Sequence, residues 1–212
     1  MKKVLVTQRI DFIESYGEMR DSIDQNLLQW LIQAKYLPIP IPNKLGPLKD
    51  FEQKQNQPLL NNWLSIIKPD ALILSGGNDI GEYISRDETE KFLLDWAKKN
   101  KIPALGICRG MQVMTVWAGG SLKRIDNHVG VRHRLNIYGS EEDWPKEVNC
   151  FHNWGIHECP NDFEIKAQSS DGVIKAIKHK NLPWEGWMWH PERESPFIEQ
   201  DINRLKALFD HE

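Results

Sequence analysis

Three short runs dominated by apolar residues constrain the fold of this chain more than any other feature of its sequence. They span residues 4–7, 70–75 and 104–107, and each is followed along the chain by a segment in which apolar residues recur at helical spacing. Strands that are apolar at successive rather than alternate positions are covered on both faces, as in a parallel sheet between helices. The pattern therefore predicts an α/β domain.

The length and charge of the chain narrow its class further. With 212 residues it is expected to form one domain over residues 1–212. Its formal charge is −3 and no five like charges follow one another, so a nucleic-acid partner is not expected. The apolar runs are far shorter than the roughly 18 residues of a membrane helix, and the apolar stretch after the first lysines is too short for a signal peptide. We therefore expect a cytoplasmic protein with no membrane partner.

Helical and strand periodicity locate the remaining elements. Helices are predicted over residues 23–34, 59–67, 92–101, 110–118 and 197–209. Extended segments are predicted over residues 37–42, 134–137, 164–167, 173–178 and 184–189. The polar stretch 43–58 is predicted to be a loop. The second half of the chain is therefore richer in strands than the first.

Cys108 stands between two glycines where a predicted strand meets a predicted helix, in the sequence Gly106-Ile107-Cys108-Arg109-Gly110. A sharp strand-to-helix turn of this kind exposes its central side chain at the C-terminal end of the sheet, as in a nucleophile elbow with cysteine in place of serine. A helix N-terminus also favours the thiolate, which is the reactive form of cysteine. The alternative is a buried structural cysteine flanked by packing glycines.

A histidine and a glutamate near the C-terminus supply the partner that such a cysteine needs. They lie in the sequence Trp189-His190-Pro191-Glu192. At strand geometry, residues two apart point the same way, about 6 to 7 Å from each other, so Glu192 is expected to orient the imidazole of His190. A surface histidine followed by a turn proline is the competing interpretation.

Two adjacent glycines follow the predicted strand over residues 70–75, in the sequence Ser75-Gly76-Gly77-Asn78-Asp79. Backbone amides without side-chain bulk can point at an oxyanion that develops during acyl transfer. A plain turn is the other explanation of this pair.

These three segments, in this order along the chain, resemble the class I glutamine amidotransferase family, and more closely its free-standing γ-glutamyl hydrolase branch. The motif Arg86-Asp87-x-x-Glu90 and the stretches 103–112 and 119–122 resemble that branch's pattern around its nucleophile. The resemblance covers essentially the whole chain. It implies a single catalytic domain with a flavodoxin-like fold, in which helices flank a central, mostly parallel sheet.

The resemblance also implies a role for each residue of the predicted site. Cys108 becomes the nucleophile, His190 the general base and acid, and Glu192 the carboxylate that orients His190. The backbone amides of Gly77 and Arg109 become the oxyanion hole. The implied reaction cleaves a γ-glutamyl amide through a thioester and releases glutamate, with neither a cofactor nor a metal.

A further stretch of the family helps to hold the glutamyl end of the substrate. The family pattern resembles Asn-Ser-Phe-His-His-Gln, whereas this chain has cysteine at Cys150 and tryptophan at Trp154 in place of the serine and the glutamine. The predicted substrate-binding residues are Gly76, Gln112, Asn149, Phe151 and His152.

Zinc binding is the alternative from another class of site. The residues that could contribute ligands are His128, His133, Cys150, His152, His157 and Cys159. Structural zinc sites usually pair cysteines two to four residues apart, and these two cysteines are nine positions apart. We therefore predict that the chain holds no metal.

Other functions on the same fold stay open at this stage. The chain could be a glutaminase subunit that passes ammonia to a separate synthetase, or a non-catalytic interaction protein. Within the hydrolase branch, the leaving group could be an anionic nucleoside diphosphoramidate or a cationic polyamine, and the charge lining the site should separate these. The expected partner is a small-molecule γ-glutamyl substrate, and a homodimer is left open.

Basic and aromatic side chains are candidate binders of such a leaving group. Arg132, Arg134 or Arg193 could contact its phosphates, although a solvated strand end explains the first two equally well. Trp184, Trp187 and Trp189 are expected to pack in the core rather than to stack on a ligand.

Overall fold

The computed structural model describes residues 1–46, 56–139 and 144–210. Within this part of the chain the helices are α1 (Gln25–Gln33), α2 (Asn56–Ile67), α3 (Ile84–Asn100), α4 (Arg109–Trp117) and α5 (Glu199–Phe209). The strands are β1 (Lys3–Thr7), β2 (Arg9–Ile13), β3 (Glu18–Ser22), β4 (Leu37–Ile41), β5 (Ala71–Leu74), β6 (Ala104–Ile107), β7 (Ser121–Arg124), β8 (Val129–Ile137), β9 (Glu147–Phe151), β10 (Trp154–Glu158), β11 (Phe163–Ser169), β12 (Ile174–His179) and β13 (Trp184–Trp187).

Nine strands form the central sheet, in the order β4-β1-β5-β6-β13-β12-β11-β8-β9. The first five are parallel neighbours, and each later pairing is antiparallel. Since only β12 and β8 run against the others, the sheet is mostly parallel. The parallel part has the flavodoxin-like order 2-1-3-4-5 when its strands are counted along the chain. The predicted α/β fold is therefore confirmed.

Helices cover both faces of the sheet because successive residues of a strand point to opposite sides. Val4 and Val6 of β1 lie in the same core as buried residues of α1 and α5. Leu5, between them, lies in the other core with buried residues of α2, α3 and α4. Burying one such side chain contributes about 1.5–3 kcal/mol, so the two cores stabilise the sheet from both faces.

Three tryptophans of the C-terminal half belong to these cores. Trp184, Trp187 and Trp189 are buried. Trp187 stacks on Trp189 with ring centroids 5.2 Å apart, and its edge meets Trp30 of α1 at 6.3 Å. The expectation that they pack in the core is confirmed.

Several expectations about local structure need correction. Helix α2 begins at Asn56, inside the stretch predicted to be a loop, and Asn43–Leu45 form a short 3-10 turn in the same stretch. Residues 47–55 of that prediction lie outside the described residues. Strand β8 begins five residues earlier than predicted, and the last predicted strand ends at Trp187 instead of residue 189.

The hairpin of β2 and β3 and the small sheet of β7 and β10 were not predicted. The side chains of β3 are mostly exposed, so this strand has no apolar alternation that could identify it. Across the described residues, no helix has both the length and the apolar character needed to cross a membrane.

Candidate active site

Cys108 lies in a strained turn between β6 and α4. Its φ is 50° and its ψ is −104°, a conformation that non-glycine residues rarely adopt and that concentrates at functional sites. Its backbone N–H donates to the carbonyl of Trp187 in the next strand, at 2.7 Å. The structure thus places Cys108 at the carboxyl end of the parallel strands, where ligands of open α/β sheets bind.

The close packing of this turn explains the glycine at position 110. A Cβ atom there would lie 2.1 Å from the carbonyl oxygen of Leu74 in β5, which is backbone and cannot rotate away. The start of α4 therefore rests directly on the neighbouring strand. Only a residue without a side chain permits this approach.

His190 follows β13 at the same edge of the sheet and is almost fully buried. Its Nδ1 lies 2.6 Å from Oε1 of Glu192. Its backbone is held by Asn149, whose Oδ1 accepts from the His190 N–H at 2.9 Å and whose Nδ2 donates to the His190 carbonyl at 2.8 Å. Asn149, predicted to bind substrate, therefore positions the histidine.

The strand geometry predicted for residues 190–192 is wrong. Pro191–Arg193 form a 3-10 turn, with His190 as the residue before it. The turn brings the imidazole and the carboxylate closer than the strand spacing would. The pair was identified correctly from its spacing, but the local conformation that joins it is different.

The electrostatics of His190 favour its charged form. Burial opposes a charged imidazole, but the negative charges of Cys108 and Glu192 and hydrogen bonds to both side chains raise the pKa of His190 to about 9. The raised pKa favours the imidazolium form of His190, whose Nδ1–H donates to Glu192. This arrangement can support a thiolate nucleophile and can then donate a proton to a leaving group.

The Gly76-Gly77 turn follows β5 and packs directly against His190. A Cβ atom on Gly76 would lie 2.7 Å from Cε1 of His190, so the turn packs against the imidazole. Arg86 fixes the turn by donating to the carbonyls of Ser75 at 2.8 Å and Gly76 at 2.9 Å. Arg86 thus holds the backbone of the predicted oxyanion segment in place beside His190.

A buried ion network links this turn to the start of α4. Glu90 of α3 accepts hydrogen bonds from Arg86, from Arg109 and, at 2.8 Å, from the hydroxyl of Thr7. Burial would raise the pKa of Glu90, but the charges of Arg109 and Arg86 outweigh it and keep the pKa below its usual value. The side chain of Arg109 points into this network, which leaves only its backbone amide for the oxyanion hole.

The remaining predicted substrate-binding residues surround Trp154. Gln112 Nε2 and His152 Nδ1 both donate to the Trp154 carbonyl, at 3.1 and 2.9 Å. The indole of Trp154 in turn donates to Asp79 Oδ2 at 3.1 Å, beyond the Gly76-Gly77 turn. Phe151 is partly exposed and meets His190 edge to face at 6.0 Å. Gly76, Asn149 and Phe151 therefore contact His190. The backbone of Gln112 bonds to that of Cys108, and His152 is linked to Gln112 through the Trp154 carbonyl.

The histidines and cysteines considered for zinc are partly brought together. Donor atoms of His128, His133 and Cys150 lie within 4.8 Å of one another. The Lys175 amine, however, donates to His128 Nδ1 at 2.9 Å and to Cys150 Sγ at 3.1 Å. A positive charge already bonded to two of these donor atoms disfavours a metal cation.

Two residues of this site carried no predicted role. Arg86 and Glu90 were noted only as part of a motif resembling the hydrolase branch, and the structure places them beneath the oxyanion turn. Their spacing of four residues could have paired them, but the helix was predicted to begin only at residue 92, whereas α3 begins at Ile84. Thr7 offered no such signal, because it ends an apolar strand.

Comparison with known proteins places the chain in a family. The sequence model of the Peptidase C26 family matches residues 13–192. The chain belongs to this family of class I glutamine amidotransferase-like proteins. It is accordingly a hydrolase of the glutamine amidotransferase-like kind.

Individual relatives differ in the function that their names state. The γ-glutamyl-CDP-amidate hydrolase of Campylobacter jejuni is 31% identical over 96% of both chains. A subunit of the glutamine-hydrolysing GMP synthase of Methanococcus aeolicus is 31% identical over 74% of this chain and 78% of its own.

Solved structures agree with the fold. A Thermoplasma acidophilum protein described as a GMP synthase subunit is 22% identical, has a TM-score of 0.72, and covers 99% of this chain and 93% of its own. A glutamine amidotransferase of Thermotoga maritima is 16% identical, with a TM-score of 0.63, and covers 99% and 84%.

The packing of the elbow predicts that Gly110→Ala destabilises the protein by about 1–3 kcal/mol, because the added methyl group collides with the Leu74 carbonyl. Urea denaturation followed by tryptophan fluorescence measures this. Val116→Leu on the exposed side of α4 is the control and should leave the midpoint unchanged. Equal midpoints for Gly110→Ala and the wild type would contradict the close approach.

The raised pKa of His190 predicts a pH-dependent contribution to stability. Because the pKa rises from 6.5 to about 9 on folding, the stabilisation is fully present below pH 6.5 and is lost as pH rises through 9. Glu192→Gln removes one cause of the shift. The free energy of unfolding of the wild type relative to this variant should therefore decrease between pH 6.5 and 9, and parallel pH profiles would contradict the charged pair.

Proposed function

We propose that this protein hydrolyses a γ-glutamyl amide through a thioester on Cys108 and releases glutamate. The observation that carries the proposal is the buried imidazole of His190, which is hydrogen-bonded to Glu192 at 2.6 Å and interacts electrostatically with Cys108 of the nucleophile elbow. This is the nucleophile, base and orienting acid of covalent acyl transfer. Glu192 holds the imidazole with its Nδ1–H toward the carboxylate.

The first half of the proposed reaction forms the thioester. The Cys108 thiolate attacks the γ-carbonyl carbon, and the carbonyl oxygen becomes an oxyanion that accepts from the backbone amides of Gly77 and Arg109. When the tetrahedral intermediate collapses, the C–N bond breaks and the nitrogen leaves with the proton of His190. A single oxyanion donor typically raises the rate of such a step about 10²- to 10³-fold.

The second half regenerates the site. Water attacks the thioester carbonyl and His190, now neutral, takes its proton. Collapse of the second intermediate breaks the C–S bond, so glutamate leaves and the Cys108 thiolate again faces an imidazolium. The proton taken from water replaces the one that His190 gave to the leaving nitrogen, so the cycle closes.

The charge of the cleft supports an anionic leaving group. Arg9 and Arg193 line the cleft beside His190, together with Asp24 and Glu192. Glu192 is bonded to His190, and Asp24 caps α1 by accepting from the Asn26 amide at 2.9 Å. The Arg9 Nε lies 3.6 Å from an Asp11 oxygen, beyond hydrogen-bond distance. The Arg193 guanidinium lies over the Phe151 ring at 4.5 Å, and neither this contact nor the Arg9–Asp11 ion pair uses all five N–H donors of an arginine. Both arginines could therefore contact a diphosphate and would repel a polyamine.

The proposed substrate is therefore γ-glutamyl-CDP-amidate, which is hydrolysed to glutamate and cytidine diphosphoramidate. The name of the Campylobacter jejuni relative, aligned over 96% of both chains, supports the same choice. Of the other basic residues considered, Arg132 is bonded to Glu147 at 3.0 Å and Glu194 at 2.8 Å. Arg193 therefore replaces it as the expected phosphate contact.

A second candidate is a glutaminase subunit that supplies ammonia to a separate synthetase. The similarity to a GMP synthase subunit over 74% of the chain favours it. The two candidates share the thioester chemistry and differ in the leaving group. They are separated by the substrate and by whether a partner is required.

The test is glutamate release from glutamine, γ-glutamyl-CDP-amidate and a γ-glutamyl polyamine, measured in parallel. We expect turnover of γ-glutamyl-CDP-amidate by the isolated protein and none by Cys108→Ala, whose circular dichroism should match the wild type. Turnover of glutamine alone would favour the role of a glutaminase subunit. Retained activity in Cys108→Ala would overturn the thioester mechanism.

The arginine contact predicts a substrate-dependent effect of Arg193→Gln. Loss of one charge-assisted hydrogen bond costs about 1.5–3 kcal/mol, so kcat/KM for γ-glutamyl-CDP-amidate should fall about 10- to 100-fold. Any slow hydrolysis of glutamine should be unchanged, because glutamine carries no phosphate. Arg20→Gln is the matched control, since Arg20 is exposed and paired with Glu18. An equal loss for both substrates would contradict the assignment.

A further inference from the structure

Lys175 of β12 is fully buried beside the site and has no part in the mechanism above. Lysine is almost never buried to this extent unless it is paired. Its Nζ donates to His128 Nδ1 at 2.9 Å, to His152 Nε2 at 2.8 Å and to Cys150 Sγ at 3.1 Å. An ammonium group has three N–H bonds, and these three acceptors use all of them.

The outer contacts of the two histidines determine which ring nitrogen accepts from Lys175. His152 Nδ1 faces the carbonyl of Trp154, which only accepts, so this nitrogen carries the hydrogen and Nε2 is free to accept. His128 Nε2 likewise faces the Asp171 carboxylate at 2.8 Å, which leaves Nδ1 to accept. Both rings are therefore neutral acceptors.

The charges around the cluster agree with this assignment. Burial and the charge of Lys175 lower the pKa of His152 to about 3, which keeps the ring neutral. Burial lowers the pKa of Lys175 itself, and the side chain of Cys150 and the carboxylate of Asp171 oppose that shift. His133 stacks on His128 at 4.3 Å and completes the set of titratable groups here.

Two of the three partners of Lys175, Cys150 and His152, lie within the segment that holds the site together, residues 149–154. Asn149, at the start of the segment, holds the backbone of His190 on both sides. The carbonyl of Trp154, at the end of the segment, accepts from His152 and Gln112. Gln112 lies on α4, one helical turn after Cys108. Lys175 bonds to Cys150 and His152, between these two attachment points.

We propose that Lys175 is a positioning residue, whose ammonium fixes the 149–154 segment so that Asn149 keeps His190 beside Cys108. This inference rests on the proposed function and adds to it a residue that touches neither substrate nor reacting atoms. A displacement of about 1 Å at a reacting group can cost about 10²-fold in rate. The effect is therefore expected in kcat, because the contacts to the leaving group are separate.

The experiment compares Lys175→Met with Lys178→Met. Lys178 lies on the same strand but is exposed, so it is the matched control. Steady-state turnover of γ-glutamyl-CDP-amidate should show kcat reduced about 10- to 100-fold in Lys175→Met, with KM changed less than about 3-fold. The control should keep the wild-type values.

A second measurement needs no substrate and separates positioning from a loss of folding. The rate of alkylation of Cys108 by iodoacetamide at pH 7 is followed by mass spectrometry of its peptide. A misplaced His190 should slow this reaction about 10-fold, whereas partial unfolding would expose the buried Cys108 and accelerate it. If the wild type cleaves no γ-glutamyl compound, the proposed function fails while this comparison still tests Lys175.

Cys150→Ala tests the same contact with less disturbance of the core. It removes one acceptor of Lys175 and should slow turnover and alkylation in the same direction, by about 3- to 10-fold, as expected for about 1 kcal/mol. If Lys175→Met does not fold, this variant decides the question. Wild-type kcat and alkylation rates in a folded variant of either residue, or faster alkylation in both, would overturn the proposal.

Discussion

The geometry of the site depends on the buried ion pairs that the carboxylate of Glu90 forms with two arginines. Glu90 lies on α3 and binds Arg86, which holds the carbonyls of the Gly76-Gly77 turn, and Arg109, the residue after Cys108. One buried anion thus connects the oxyanion turn to the nucleophile turn. Removing one partner of a buried ion network costs about 3–5 kcal/mol, because the remaining charges lose their compensation.

The proposed chemistry uses the carboxyl ends of three adjacent parallel strands. β5 ends in the glycine turn, β6 ends at Cys108, and β13 leads to His190. The antiparallel extension of the sheet supplies supporting residues, namely Asn149 from β9 and Lys175 from β12. In the proposed mechanism, the parallel half of the sheet therefore carries the reacting groups, and the antiparallel half holds them in place.

The sequence could predict those features that depend on local pattern. Apolar runs identified β1, β5 and β6, and two glycines around a cysteine identified the elbow. The pairing of His190 with Glu192 was predicted from spacing, although a 3-10 turn rather than a strand achieves it. These features involve residues close together in the chain, so a short window contains the whole signal.

Features that depend on distant contacts could not be predicted in this way. Lys175 occupies an apolar strand, and its partners lie 23 to 47 positions away. Neither its burial nor its three acceptors leaves a local pattern. The hairpin of β2 and β3 was missed for the opposite reason, since the exposed side chains of β3 place no hydrophobic constraint on the sequence.

The bond between the Trp154 indole and Asp79 has a consequence for the way the site responds to its ligand. It joins the wall proposed to hold the glutamyl end to the segment that follows the oxyanion turn. A movement of the segment around Trp154 would therefore stretch its hydrogen bond to the segment that contains Asp79. In the proposed mechanism, this bond would tie the position of the segment around Trp154 to that of the turn that carries the proposed oxyanion donors.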